Sequence, residues 1–260
     1  MHIYQQVSDY LEQCFHYMEK HVPSPDIVEI GGEKCLRYTG QSIETAIIQK
    51  VARYLSTLNA ARLLLDYGYT QEVGVMFRTL DEFGEDIMFL CIPKTGGELT
   101  ETHKKYLEYF YQEEFDNPEN AFLSTQNRPT IPRKKIHAAI SNYGKQSLNP
   151  SDNQKNHRTL SQAYSGYVHG SSEHLIEMVG GEPLRYFLRG MAGTQRQQEF
   201  AYNYWDYAYR GILTVMISAK ALGLGELYEQ CLAFRKSFEE KTGETGSGDP
   251  VKQMKEMKNA

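Results

Sequence analysis

TQRQQEFAYNYWDYAYRGILTVMISAKAL, residues 194–222, is the stretch whose periodicity decides the fold. Ala201, Trp205, Ala208, Ile212, Val215, Ala219 and Leu222 alternate steps of four and three, which places them on one face of a helix. Tyr204, Tyr207 and Gly211 form a second stripe beside the first. A helix apolar on more than one side is central to its fold. Thr194 followed by Gln197 reads as a capping box at the start, and Gly223 with Gly225 marks the end. Leu227, Cys231, Phe234 and Phe238 then predict a last helix.

A central helix needs partners, and the rest of the chain supplies them. Tyr4, Val7, Leu11, Cys14, Met18 and His21 predict a first helix, closed by Pro23 and Pro25. Ile47, Val51, Tyr54, Leu58, Ala61 and Leu65 stripe a helix over Ser42–Asp66, stopped at Gly68. Val73, Phe77, Leu80, Phe83, Ile87 and Leu90 stripe the next, Thr70–Cys91, with Thr70 as its expected cap. The short break between these two predicts an antiparallel helical hairpin. A further helix is expected over Thr100–Phe115, through His103, Leu107 and Phe110. Residues 116–132 carry prolines and asparagines without a period and read as a long loop. Short helices follow, over Arg133–Tyr143 and from Asn149-Pro150 to about His169.

Two places break the helical pattern. Ile27–Tyr38 has apolar runs on either side of Gly31-Gly32, a β-hairpin signal. Gly180-Gly181-Glu182-Pro183-Leu184-Arg185-Tyr186 echoes its GGE and LRY pieces, and predicts a second excursion that could share one small sheet with the first. The expected fold is mainly α: a single helical bundle of six to eight helices, with a minor β-hairpin or small sheet. The domain is read as 1–242, followed by a flexible, polar C-terminal tail at 243–260.

Composition narrows the function classes. The 260 residues are 40% hydrophobic, enough to build a core, so global disorder is excluded. No run of eighteen apolar residues predicts a transmembrane helix, and the first thirty residues hold no secretory pattern. A net charge of −5 gives no general attraction to DNA phosphates or anionic lipids. Cys14, Cys35, Cys91 and Cys231 are too far apart in sequence for a zinc knuckle or a redox pair motif. Reduced thiols in a cytoplasmic protein are the expectation. Nineteen tyrosines against one tryptophan predict rings along helix seams, with hydroxyls reaching polar partners.

The candidate site rests on two clusters. Arg78 and Glu82 are one helical turn apart and are expected to pair beside apolar neighbours. Tyr164, Ser165 and His169 form the other, with His169 at a helix end before Gly170. Histidine titrates near neutral pH and suits general acid–base work. The expected catalytic set is therefore Arg78, Glu82, Tyr164 and His169, with Glu82 holding Arg78 and His169 facing a cleft. No cofactor and no metal are expected, since Glu-x-x-His, His-Glu-x-x-His and phosphate-binding glycine loops are all missing from the sequence. Arg128, Arg133, Lys134, Lys135, Lys145, Lys155, His157 and Arg158 make a locally basic stretch that reads mainly as a solvated face, with RNA as a weaker partner expectation.

Arg78-x-Leu80-x-Glu82 within Ala60–Phe89, together with Leu160-Ser161 and Tyr164-Ser165 leading to Val168-His169-Gly170, resembles a bacterial all-helical family known as domains of unknown function. The likeness covers about a third of the chain and implies a helical fold without an assigned reaction. In bundle style it is also similar to HEPN domains, many of them metal-independent ribonucleases of conflict systems. Their arginine precedes histidine by four to six residues. Here Arg133 and His137 are separated by three residues, and Arg158 and His169 by ten, so a ribonuclease would need Arg78 or Arg158 to meet His169 across helices. The remaining expectation is an interaction module that forms a homodimer through the tyrosine-rich face of residues 202–209.

Overall fold

A computed structural model of the chain describes residues 2–117, 119–125, 129–143 and 164–245. Most of the expected helix from Asn149, several residues of the basic stretch (Arg128, Lys145, Lys155, His157 and Arg158) and the tail from 246 lie outside the described residues.

Helix α1, His2–Met18, buries Val7, Leu11, Cys14 and Met18 along one face. A hairpin follows, β1 Asp26–Ile30 and β2 Glu33–Arg37, with Ile27 opposite Leu36 and Val28 opposite Cys35. Helices α2 (Ile43–Asp66) and α3 (Thr70–Cys91) are the antiparallel pair that the four-three spacing predicts. After α4 (Glu101–Tyr111) and the loop come α5 (Arg133–Tyr143), the short α6 (Ser165–His169) and α7 (Ser172–Leu175), and a second hairpin, β3 Val179–Gly180 with β4 Arg185–Tyr186. Helices α8 (Gln195–Ala221) and α9 (Gly225–Thr242) complete the chain. Seven of the described helices have eleven residues or more, so the fold is the mainly α bundle with minor β structure that the periodicity implies.

Helix α8 is the axis, packed against α1, α2, α3 and α9. Its Tyr204, Tyr207, Ile212 and Val215 are buried. Phe77 of α3 stacks on Tyr207 with centroids 3.9 Å apart and planes 10° apart. Tyr4 meets Tyr204 edge-on at 5.1 Å, and Trp205 stacks on Phe238 of α9 at 5.7 Å. Such ring pairs add to the area term, which is worth about 1.5–3 kcal/mol for each fully buried large side chain.

Local differences from the expectation have local causes. Ser42 caps α2 reciprocally: its Oγ accepts from the Thr45 N–H at 3.1 Å, and Thr45 Oγ1 accepts from the Ser42 N–H at 3.2 Å. Thr70, expected to cap α3, is instead its first helical residue, with its hydroxyl turned to Met191 Sδ at 3.9 Å. Gly68 makes the intervening turn at φ +76°, and a Cβ there would lie 2.2 Å from the Ala192 nitrogen. Only glycine serves where left-handed backbone meets another strand of chain so closely.

Helix α4 ends at Tyr111, four residues short of the expected Phe115. The Tyr111 hydroxyl donates to the Ser42 carbonyl at 2.9 Å, and Glu113 pairs with Arg37 of β2 at 2.5 Å. These contacts draw the chain off the helical path towards the first hairpin. The two hairpins are separate two-stranded sheets, not one joined sheet. Each is too small to stand alone.

Candidate functional site

Helix α3 carries Arg78, Asp81, Glu82, Glu85 and Asp86. Their spacing of three, one, three, one is that of an apolar stripe, yet every member is charged. Asp81, Glu85 and Asp86 are buried, and the burial is offset by cations from three other helices. Arg210 of α8 donates from Nη1 to Asp81 Oδ1 at 2.8 Å. The Tyr207 hydroxyl donates to Asp81 Oδ2 at 3.3 Å. Arg210 also holds Asp206 through Nη2 at 2.5 Å. Lys50 of α2 donates to Asp86 at 2.8 Å. Arg133 of α5 forks between Glu85 and Asp86, and His137 Nε2 lies 2.9 Å from Glu85.

Arg78 pairs with Glu82 at 2.6 Å, as the one-turn spacing implies. One arm of the guanidinium is thus held, while Nη1 is buried without a hydrogen-bond partner among the described residues. Tyr164, just before α6, meets Phe77 edge-on at 5.4 Å, and its hydroxyl accepts from Asn203 Nδ2 at 3.3 Å. Helix α6 lies on α3 because position 74 is glycine: a Cβ there would come within 2.6 Å of the Tyr167 ring. Tyr164 thus packs on Phe77, the residue before Arg78, within electrostatic reach of Asp81.

His169 is placed differently from the other three expected residues. It ends α6, where Gly170 makes the left-handed cap at φ +63°. Its side chain is exposed, and no hydrogen bond or ion pair joins it to Arg78, Glu82 or Ser165 among the described residues. The tyrosine-rich face also turns out differently. Tyr204, Tyr207 and Tyr209 are in the core and Tyr202 alone of the four is exposed, because the second stripe of α8 faces α3 and α1 rather than solvent.

Burial and charge tune the seam. Burial pushes the Asp81 carboxyl up to about 6, with Glu85 adding to the rise, while Arg210 chiefly opposes it and the Tyr207 hydrogen bond and Arg78 assist. Burial, with Asp81 adding, pushes the Tyr164 hydroxyl up to about 12, so it remains a protonated donor at neutral pH. Burial opposes the Arg133 charge, but the Asp86 and Glu85 carboxylates more than reverse this and raise its pKa.

The Asp81 shift has a consequence for stability. The folded carboxyl binds its proton more tightly than the unfolded one, so its contribution is fully present below about pH 3.8 and is lost as pH rises through about 6. The full span is on the order of 3 kcal/mol. Urea unfolding of the wild type and Asp81→Asn at about pH 4.5 and 7 should show the variant gaining relative stability at the higher pH. A difference independent of pH would mean that Asp81 is ionised throughout.

Chemically, the region of Arg78 offers a guanidinium held by Glu82 and a neutral phenol donor. Among the described residues no three His, Cys, Asp or Glu side chains converge as a metal ion would require. No described helix is long and apolar enough to cross a membrane. Asp81, Glu85 and Asp86 escape a reading of motifs, although a charged stripe at core spacing was their signal; Arg133, His137 and Arg210, on other helices, carry no such signal. No family model, curated protein or solved structure matches the chain.

Proposed function

We propose that the chain is a helical binding protein whose ligand presents an oxyanion, a carboxylate or a phosphate, to Arg78 at the α3–α6–α8 junction. The observation carrying this reading is the buried Nη1 of Arg78, which has no acceptor among the described residues, beside its Glu82-held partner nitrogen. A buried charged donor left unmatched is costly, and an anionic oxygen is the acceptor a guanidinium takes best. Glu82 fixes the guanidinium, and Tyr164, packed on Phe77 beside it, supplies a neutral donor.

Thermal-shift titration with phosphate monoesters and with dicarboxylates tests the reading and separates the two chemistries. An anion of one class should stabilise the wild type, and Arg78→Gln should weaken its binding roughly ten- to hundredfold. Equal stabilisation of both proteins by every anion, or of neither by any, would overturn it.

A metal-independent ribonuclease is the second reading, favoured by one observation: His169 is exposed at the end of α6. Cleavage of mixed RNA, unaffected by EDTA and abolished in His169→Ala, is its expected result, and intact RNA counts against it. The exposed side chains of Leu184, Leu188 and Tyr202 support a homodimer of the same protein. A strict monomer by light scattering removes that addition.

A further inference from the structure

Cys14 and Cys231 belong to the first and last described helices and are 217 positions apart, yet their Sγ atoms lie 4.0 Å from each other. Both are buried. The Tyr10 hydroxyl, one turn before Cys14, is 3.8 Å from Cys231 Sγ, and its ring stacks on Phe234 at 3.9 Å and 11°. The other two cysteines are elsewhere: Cys35 half-exposed on β2, and Cys91 buried at the end of α3.

We propose that Cys14 and Cys231 are a modification site, a dithiol that a peroxide closes to an intramolecular disulfide tying α1 to α9. The sulfurs are in van der Waals contact and need to approach by about 2 Å to bond. Hydrogen bonds from Cys14 and Tyr10 favour the Cys231 thiolate, the first making the larger contribution, although burial opposes it. That thiolate is the attacking sulfur.

In the first step the Cys231 sulfur attacks a peroxide oxygen. An S–O bond forms, the O–O bond breaks, and the other oxygen leaves with the proton that Cys231 gave up. In the second step the Cys14 sulfur attacks the sulfur of the Cys231 sulfenic acid. An S–S bond forms, the S–O bond breaks, and the hydroxyl leaves as water with the Cys14 proton. The two sulfurs lose two electrons and the peroxide gains both.

Access comes from the build of α9. Along its eighteen residues only Leu227, Cys231 and Phe238 are fully buried. An outer helix with so few buried anchors opens at lower free energy than the core. Peroxide is small enough to reach the thiols during such openings.

The test uses the full chain, folded, treated with hydrogen peroxide and then mapped by mass spectrometry without reduction. Two of the four thiols should be lost, with the Cys14 and Cys231 peptides joined and the link reversed by dithiothreitol. A loop this long should raise Tm by roughly 5 °C or more on oxidation. Cys231→Ser should show neither the link nor the rise. Recovery of all four thiols after treatment, or a link made instead through Cys35 or Cys91, would overturn the proposal. The wild-type map decides the question even where the serine variant does not fold.

Discussion

Replacing Arg133 by alanine is expected to cost about 3–5 kcal/mol of folding stability at neutral pH, towards the lower end because part of the cluster survives. Arg133 touches both Glu85 and Asp86, two buried carboxylates adjacent in sequence. Without it, Glu85 keeps His137 and Asp86 keeps Lys50, but the fork that neutralises the pair together is gone. The expense comes from stranding charge in a medium of low dielectric, not from losing an attraction that water would have screened. Two further measurements separate this account from simple loss of packing. The deficit should shrink as pH falls and the stranded carboxylates take up protons. Adding Glu85→Gln to Arg133→Ala should recover part of the loss, giving a double-mutant coupling of at least 1 kcal/mol. Strict additivity, with a deficit constant from pH 5 to 7, would show that Arg133 acts only as a hydrophobic stem.

Phe77→Ala should cost a similar amount, about 3–5 kcal/mol, for a different reason. Phe77 has no exposed surface and lies among Tyr164, Phe200 and Tyr207, at 5.4, 6.0 and 3.9 Å between centroids. Truncation removes the transfer energy of the ring and leaves a cavity walled by three aromatic side chains that α3 and α8 hold in place. The cavity also unseats Tyr207, whose hydroxyl donates to Asp81. Chemical denaturation should show a lower midpoint with an unchanged slope. Phe77→Leu should retain more than half of the stability lost in the alanine variant. A loss below 1 kcal/mol for alanine would mean that the aromatic cluster rearranges to fill the space.

The two variants probe parts of the molecule that were unequally legible. Phe77 lies in the stripe Val73, Phe77, Leu80, Phe83, Ile87, Leu90, and its burial follows from spacing alone. The Arg78–Glu82 pair is equally local, since one helical turn fixes it. Arg133 sits in a run with Lys134 and Lys135 that reads as a solvated basic face; those two lysines are exposed, and only Arg133 turns inward. The difference arises because α5 docks on α3, burying Ile136, His137 and Ile140 and carrying Arg133 with them. Similarly, Arg210 looks like a polar interruption between Tyr207 and Ile212, until α3 places Asp81 opposite it.

By its own spacing the sequence determined the helices, most of their ends, the two hairpins and the central place of residues 194–222, because a helix face and a turn are set by residues within a few positions of one another. Tertiary structure alone decided which polar groups and thiols are buried together. Asp81 with Arg210, Asp86 with Lys50, Glu85 with His137 and Cys14 with Cys231 join positions from 36 to 217 apart. A local period says which way a side chain faces, but not what it will meet there; that depends on how whole helices dock, and docking is governed by non-directional apolar burial over the entire core.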